Sequence, residues 1–190
     1  MKGLKGKTVI VTGASSGIGQ AIAMRLALEG CNVAINYRSD LEGAQTTKTE
    51  ALNQAKAAGH EIQTLIVQAD VSKAEAISAM IEKVNETWGG LDILINNAGI
   101  QIETPSHEVE TDAFDQVIDV NLRGSYLCAR EAIQQFLKQE KPGVIINVSS
   151  VHEVIPRPQY ISYSISKGGM GNLTRTLALE SARSGIRVNA

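Results

Sequence analysis

Short apolar runs alternate along this chain with longer stretches whose apolar residues recur every three or four positions. The runs cover residues 8–12, 32–37, 63–68, 91–95 and 144–148. Each is short and rich in Val, Ile or Leu, which predicts strands buried on both faces. Between them the period lengthens. Ile22, Met24, Leu26 and Leu28 predict a helix after the first strand. Residues 41–58 predict a polar helix that closes at Gly59, a C′ residue. Ser72-Lys-Ala-Glu75 has the capping-box pattern, and Ile77, Met80, Ile81, Val84 and Trp88 continue that helix until Gly89-Gly90. Residues 111–138 predict one long helix, with Phe114, Val117, Tyr126, Ile133 and Phe136 at its apolar positions. Pro142-Gly143 breaks the chain before the fifth strand. A last helix is expected over 162–183, and residues 186–190 begin a sixth strand. Regular strand–helix alternation with apolar strands predicts an α/β doubly wound parallel sheet in a single domain, residues 1–190. In such sheets ligands collect at the carboxyl ends of the strands.

Composition narrows the partners. Hydrophobic residues make up 43% of the chain and charged residues 20%, with a net charge of −2. That charge supplies no field to recruit nucleic acid or an anionic membrane. No apolar run approaches the roughly 20 residues of a membrane span. Residues 1–7 lack the apolar core of a signal peptide. Cys31 and Cys128 lie far apart without metal-like spacing, which predicts free thiols, a cytoplasmic protein and no metal.

The first strand runs into Gly13-Ala-Ser-Ser-Gly-Ile-Gly19 and then into a helix. Strand, glycine turn and helix suit a dinucleotide pyrophosphate. Gly13 allows a sharp turn, Gly17 a close approach to phosphate and Gly19 close helix packing. Ser15, Ser16 and Ile18 fill the loop, and the helix N-terminus offers free amides. The spacing is G-x-x-x-G-x-G, and by itself it also suits an ordinary strand–helix turn. The second strand ends in Tyr37-Arg38-Ser39, with no carboxylate before Asp40. Arg38 suits a ribose 2′-phosphate, so NADP is the expected cofactor, with NAD possible. Asp70, followed by Val71, either accepts from the adenine amino group or caps the helix after it. Asn97, Ala98 and Gly99 follow the fourth strand, where small residues admit a ribose.

Ser150 ends the fifth strand, and Tyr163 and Lys167 stand one helical turn apart. A free tyrosine titrates near 10, too high for proton exchange at neutral pH. A neighbouring lysine cation favours the phenolate, which makes Tyr163 a candidate general acid/base. Ser150 would orient the substrate oxygen.

Together these motifs resemble the short-chain dehydrogenase/reductase family, in its single-domain, Rossmann-like form. The resemblance rests on residues 12–19, Asn96-Asn-Ala-Gly99, Ser150 and Tyr163-Ser-Ile-Ser-Lys167. It implies a tetrad of Asn121, Ser150, Tyr163 and Lys167. Asn121 would hold a water linking Lys167 to solvent, and Lys167 would bond the nicotinamide ribose beside Tyr163. It also implies a homotetramer built through the long helices. Residues 36–39, 149–156 and 167–170 resemble the glucose 1-dehydrogenase branch. That would set Ser150, His152, Glu153 and Tyr163 around a sugar, although Gln101 departs from the acidic residue expected there. The implied reaction interconverts an alcohol and a carbonyl. Alternatives are a 3-oxoacyl carrier-protein reductase and a non-catalytic NADP-binding module. Because the family continues beyond the sixth strand, the resemblance further implies a C-terminally truncated chain, without its lid.

Overall fold

The computed structural model describes residues 3–190. Six strands form one sheet: β1 (Thr8–Val11), β2 (Asn32–Tyr37), β3 (Thr64–Gln68), β4 (Ile93–Asn96), β5 (Val144–Asn147) and β6 (Arg187–Asn189). All pair in parallel, in the order β3-β2-β1-β4-β5-β6. The order reverses beside β1, which opens a crevice at the carboxyl ends of β1 and β4.

The strands alternate between two cores. Val9, Val11, Val33, Ile35, Ile93 and Ile95 point to one face, where α1 (Gly17–Leu28) and α2 (Leu41–Ala57) cover them. Ile10, Ala34, Leu94, Ile145 and Val188 point to the other, against α3 (Ala74–Trp88), α5 (Gly124–Lys138) and α6 (Ile161–Ser181). Exposure of 7% or less on both sides is why these strands read as unbroken apolar runs. Among the described residues no helix is long and apolar enough to cross a membrane. No group of three or more His, Cys, Asp or Glu among them could hold a metal.

Three elements differ from the sequence expectation. In α1 the buried residues are Gly19, Ala23 and Ala27, while the larger Ile22, Met24, Leu26 and Leu28 are only half-buried. Small side chains let α1 lie close to α2, which buries Ala44, Thr47, Ala51 and Ala55. The capping box before α3 does not form. Lys73 takes the N-cap position without a side-chain bond, and Ser72 donates to Asp70 Oδ1 through its hydroxyl (2.8 Å) and amide (2.9 Å). A charged acceptor two residues upstream outcompetes a helix amide for Ser72. The long helix is also not uniform. α4 (Thr111–Ile118) passes through a π-helical turn, Asp119–Arg123, before α5.

Candidate active site

The carboxyl ends of the strands are tied by buried polar side chains. Thr12 Oγ1 accepts from the Asn97 and Ala98 amides at 2.9 and 3.0 Å and donates to the Ile95 carbonyl. Asn36 Oδ1 accepts from the Gly13 amide at 3.1 Å, and its Nδ2 donates to the Ala69 carbonyl at 3.0 Å. Asn96 Nδ2 donates to Asn147 Oδ1 at 2.9 Å, and Asn147 Nδ2 to Thr174 Oγ1 at 2.8 Å. Sequence reasoning missed these four as site residues. Their signal is a polar residue closing each otherwise apolar strand.

On this frame sits a cavity of about 470 Å³. Gly13, Ser15, Ser16, Gly17, Ile18 and Gly19 line one end of it. Gly13 has φ +62°, and a Cβ there would meet the Ala98 Cα at 2.9 Å. At Gly19 a Cβ would overlap the Gly13 carbonyl oxygen and Asn97 Nδ2. At Gly17 a Cβ would meet no protein atom, and its left-handed φ of +56° favours glycine. Ser16 holds the N-cap position of α1 but makes no capping bond, which leaves first-turn amides for an anion.

Arg38, Ser39, Asp70 and Val71 line the other end, and Asn97, Ala98 and Gly99 the middle. Arg38 is exposed, and among the described residues its guanidinium has no ion-pair partner. Asp40 also reaches the cavity, but its Oδ1 caps α2 by accepting from the Gly43 amide at 2.9 Å. Asp70 accepts from Ser72 rather than from the first turn of α3. Burial works against its charge, but the Ser72 bonds and the Arg38 and Lys73 cations outweigh it and hold the carboxyl below its ordinary value.

Tyr163 and Lys167 lie outside that cavity's lining, on α6. Lys167 is buried, and its Nζ donates to the Val148 carbonyl at 2.7 Å, just before Ser150. The Nζ stands 5.6 Å from the centre of the Tyr163 ring. Burial pulls the Lys167 ammonium down to about 8. Asn121 is wholly buried in the π turn. Its amide exchanges two 2.8 Å bonds with the backbone of Ile100 and donates to Ser166 Oγ at 3.1 Å. Ser166 in turn donates to the Tyr163 carbonyl at 2.7 Å, so the tetrad members on two helices are linked through a serine that the sequence reading passed over.

The segment after β5 gives the two expected sugar contacts different partners. Ser150 Oγ accepts from the His152 amide at 3.2 Å. The His152 ring stands edge-on to Tyr163, centroids 6.1 Å apart, and its Nδ1 donates to the Ile155 carbonyl. Glu153 turns away. Its carboxylate accepts from Ser149 Oγ at 2.7 Å, faces Arg175 at 3.5 Å and lies across Gly171.

A family model described as short chain dehydrogenase matches residues 7–190. The chain belongs to this family. It is 51% identical over 187 residues to 3beta-hydroxysteroid dehydrogenase 1 of Eggerthella lenta, covering 98% of this chain and 69% of that protein. It is 46% identical to glucose 1-dehydrogenase 2 of Bacillus subtilis, covering all of this chain and 71% of that one. The solved structure of acetoin dehydrogenase from Salmonella typhimurium superposes with a TM-score of 0.87 at 36% identity, covering 97% of this chain and 71% of that chain. Short-chain dehydrogenases are oxidoreductases that act on small molecules with a nicotinamide dinucleotide. The residues present fit such a group: a glycine cradle closed to any Cβ at Gly13 and Gly19, uncapped amides at α1, and an exposed cation at Arg38.

Proposed function

We propose that this short-chain dehydrogenase interconverts an alcohol and a carbonyl, with NADP preferred over NAD. The observation that carries the reaction is the buried Lys167 cation beside the Tyr163 ring, anchored next to Ser150. Residues 13–19 hold the pyrophosphate, and Arg38 with Ser39 holds the 2′-phosphate. Asp70 and Val71 border the adenine, and Asn97, Ala98 and Gly99 border the ribose. When bound, the dinucleotide supplies or accepts the hydride. Ser150 hydrogen-bonds the substrate oxygen and orients it. Tyr163 gives that oxygen a proton, or takes it, at its own hydroxyl. Lys167 stabilises the phenolate left behind and bonds the nicotinamide ribose. Asn121 serves the proton path from Lys167 to solvent.

For the substrate, His152 beside Tyr163 favours a hydroxylated partner such as a sugar, by analogy with the glucose 1-dehydrogenase relative. A second reading has its own support. The Glu153 carboxylate is engaged by Ser149 and Arg175, and Val151, Val154 and Ile155 are exposed apolar residues between Ser150 and Tyr163. That combination suits an apolar ring system, in line with the hydroxysteroid dehydrogenase relative. Assembly as a homotetramer through α5 and α6 is part of the same proposal, with exposed Tyr126, Leu137 and Leu179 on those helices.

Oxidation of glucose and of a 3-hydroxysteroid, each with NADP and with NAD, tests the reading. Turnover that Tyr163→Phe reduces by orders of magnitude supports it. The carrier-protein alternative is addressed by including a 3-oxoacyl thioester with NADPH. Nucleotide binding without turnover of any of the three would leave the non-catalytic module as the better description.

A further inference from the structure

We propose that the hydrogen bond from Tyr160 to Glu103 is a latch that fastens the segment after β4 to the start of α6 and thereby holds His152 against Tyr163. Tyr160 is then a positioning residue for the substrate. The inference rests on the reading of Tyr163 as the proton-exchanging group.

Tyr160 is buried at the N-cap position of α6, three residues before Tyr163. Its hydroxyl donates to Glu103 Oε2 at 2.6 Å, a bond to a charged acceptor. A second bond lies beside it: the Thr104 amide donates to the Gln159 carbonyl at 2.9 Å. Gln159 has φ +70°, a left-handed conformation that a non-glycine residue keeps only when its surroundings impose it. Residues 103–104 and 159–160 are therefore joined by two adjacent bonds, one through side chains and one through backbone.

The Tyr160 ring is fixed by more than its hydroxyl. The Arg157 guanidinium lies over it, 4.5 Å from its centre. The His152 ring lies nearly parallel to it, with centroids 6.5 Å apart and an interplanar angle of 19°. His152 thus sits between two tyrosines, parallel to Tyr160 and edge-on to Tyr163. Its Nδ1 is occupied by the Ile155 carbonyl, so Nε2 is the ring nitrogen left for a substrate. Releasing Tyr160 removes one wall of the slot that aims this nitrogen.

Three variants separate the bond from its side chains. Tyr160→Phe keeps the ring and loses the donor. Glu103→Ala loses the acceptor at an exposed position. Glu103→Gln keeps an acceptor oxygen. Hydrogen exchange at the Thr104 amide is the readout that needs no activity. The expected result is exchange faster by about tenfold or more in Tyr160→Phe and Glu103→Ala, and near wild-type in Glu103→Gln. The His152 ring resonances should move in the first two variants only. In the same two, KM for the substrate that the wild type turns over should rise about tenfold, while kcat and nucleotide affinity change little. Unchanged exchange in Tyr160→Phe overturns the latch. So does a Glu103→Gln variant as damaged as Glu103→Ala. Faster exchange with an unmoved His152 resonance overturns the positioning role. If the wild type turned over no substrate, the functional reading would fall, and exchange and resonance would still decide the latch.

Discussion

Lys167 carries two demands that oppose each other: its proposed role needs a cation, and its burial disfavours one. The ammonium titrates at about 8 in the folded protein, against about 10.5 when exposed to water. Between these values the unfolded chain binds the proton that the folded one has lost. Stability should therefore rise with pH across that window, by up to ~1.4 kcal/mol per unit. Below about 8 both states are protonated and the slope vanishes. Lys167→Met should abolish the rise, which denaturant unfolding at several pH values would detect. Turnover that relies on the cation should fall as pH climbs through about 8, approaching tenfold per unit well above it. Arg38 tests the other end of the site. Its guanidinium has no ion-pair partner among the described residues, whereas Asp40 is engaged as the cap of α2. Arg38→Ala should lower kcat/KM for NADP by about 10- to 100-fold, the worth of a charge-assisted contact, and change the value for NAD little. Tyr37 stays in place in that experiment because its ring is buried in the core under α1 and α2. Equal losses with both cofactors would remove Arg38 from the phosphate role.

At the scale of elements, α1 and the turn before it form one unit. Gly19→Ala drives a methyl group into the Gly13 carbonyl and the Asn97 amide, which hold the turn to β4. It should cost about 1–3 kcal/mol of stability, as overpacking does, and abolish measurable nucleotide binding. Calorimetric unfolding and titration with NADP check both. Gly17→Ala meets open space and should cost only the ~1–2 kcal/mol of its left-handed backbone. The strands and most helix ends were legible because apolar period and punctuation agree there, as at Gly59 after α2 and Gly89 after α3. The buried face of α1 was not, since its contact residues are glycine and alanine, which carry little hydrophobic signal. The π turn was equally silent: Asp119–Arg123 has ordinary helical residues, and the bonds that Asn121 makes from this turn to Ile100 lie far off in sequence. The motif residues from 13–19, 38–39, 70–71 and 97–99 line one space, because strand ends converge by topology, whereas Tyr163 and Lys167 lie outside its lining. The bonds of Glu153 to Ser149 and Arg175 were not legible, because no local pattern in the sequence brings those three residues together.

Taken whole, the molecule places its cofactor cavity across β1, β2, β3 and β4, with walls from both halves of the sheet. Turn residues from β1, Arg38 after β2, Asp70 after β3 and Gly99 after β4 share it. A ligand there links the two halves directly. A ligand that binds the folded chain and not the unfolded one raises the melting temperature by mass action, which is the expected outcome for the dinucleotide. At a hundredfold excess over Kd the gain is ~2.7 kcal/mol, which for a domain of this size is a rise of very roughly 5–10 °C. NADP should reach that gain at lower concentration than NAD if Arg38 reads the 2′-phosphate. Arg38→Ala should bring the two concentration curves together without lowering the melting temperature of the ligand-free protein, because Arg38 is exposed. Gly19→Ala should flatten both curves. A thermal-shift series over the two nucleotides and three proteins therefore separates cavity, phosphate recognition and fold in one measurement. Superimposable NADP and NAD curves in the unmodified protein would refute the assigned preference while leaving the cavity in place.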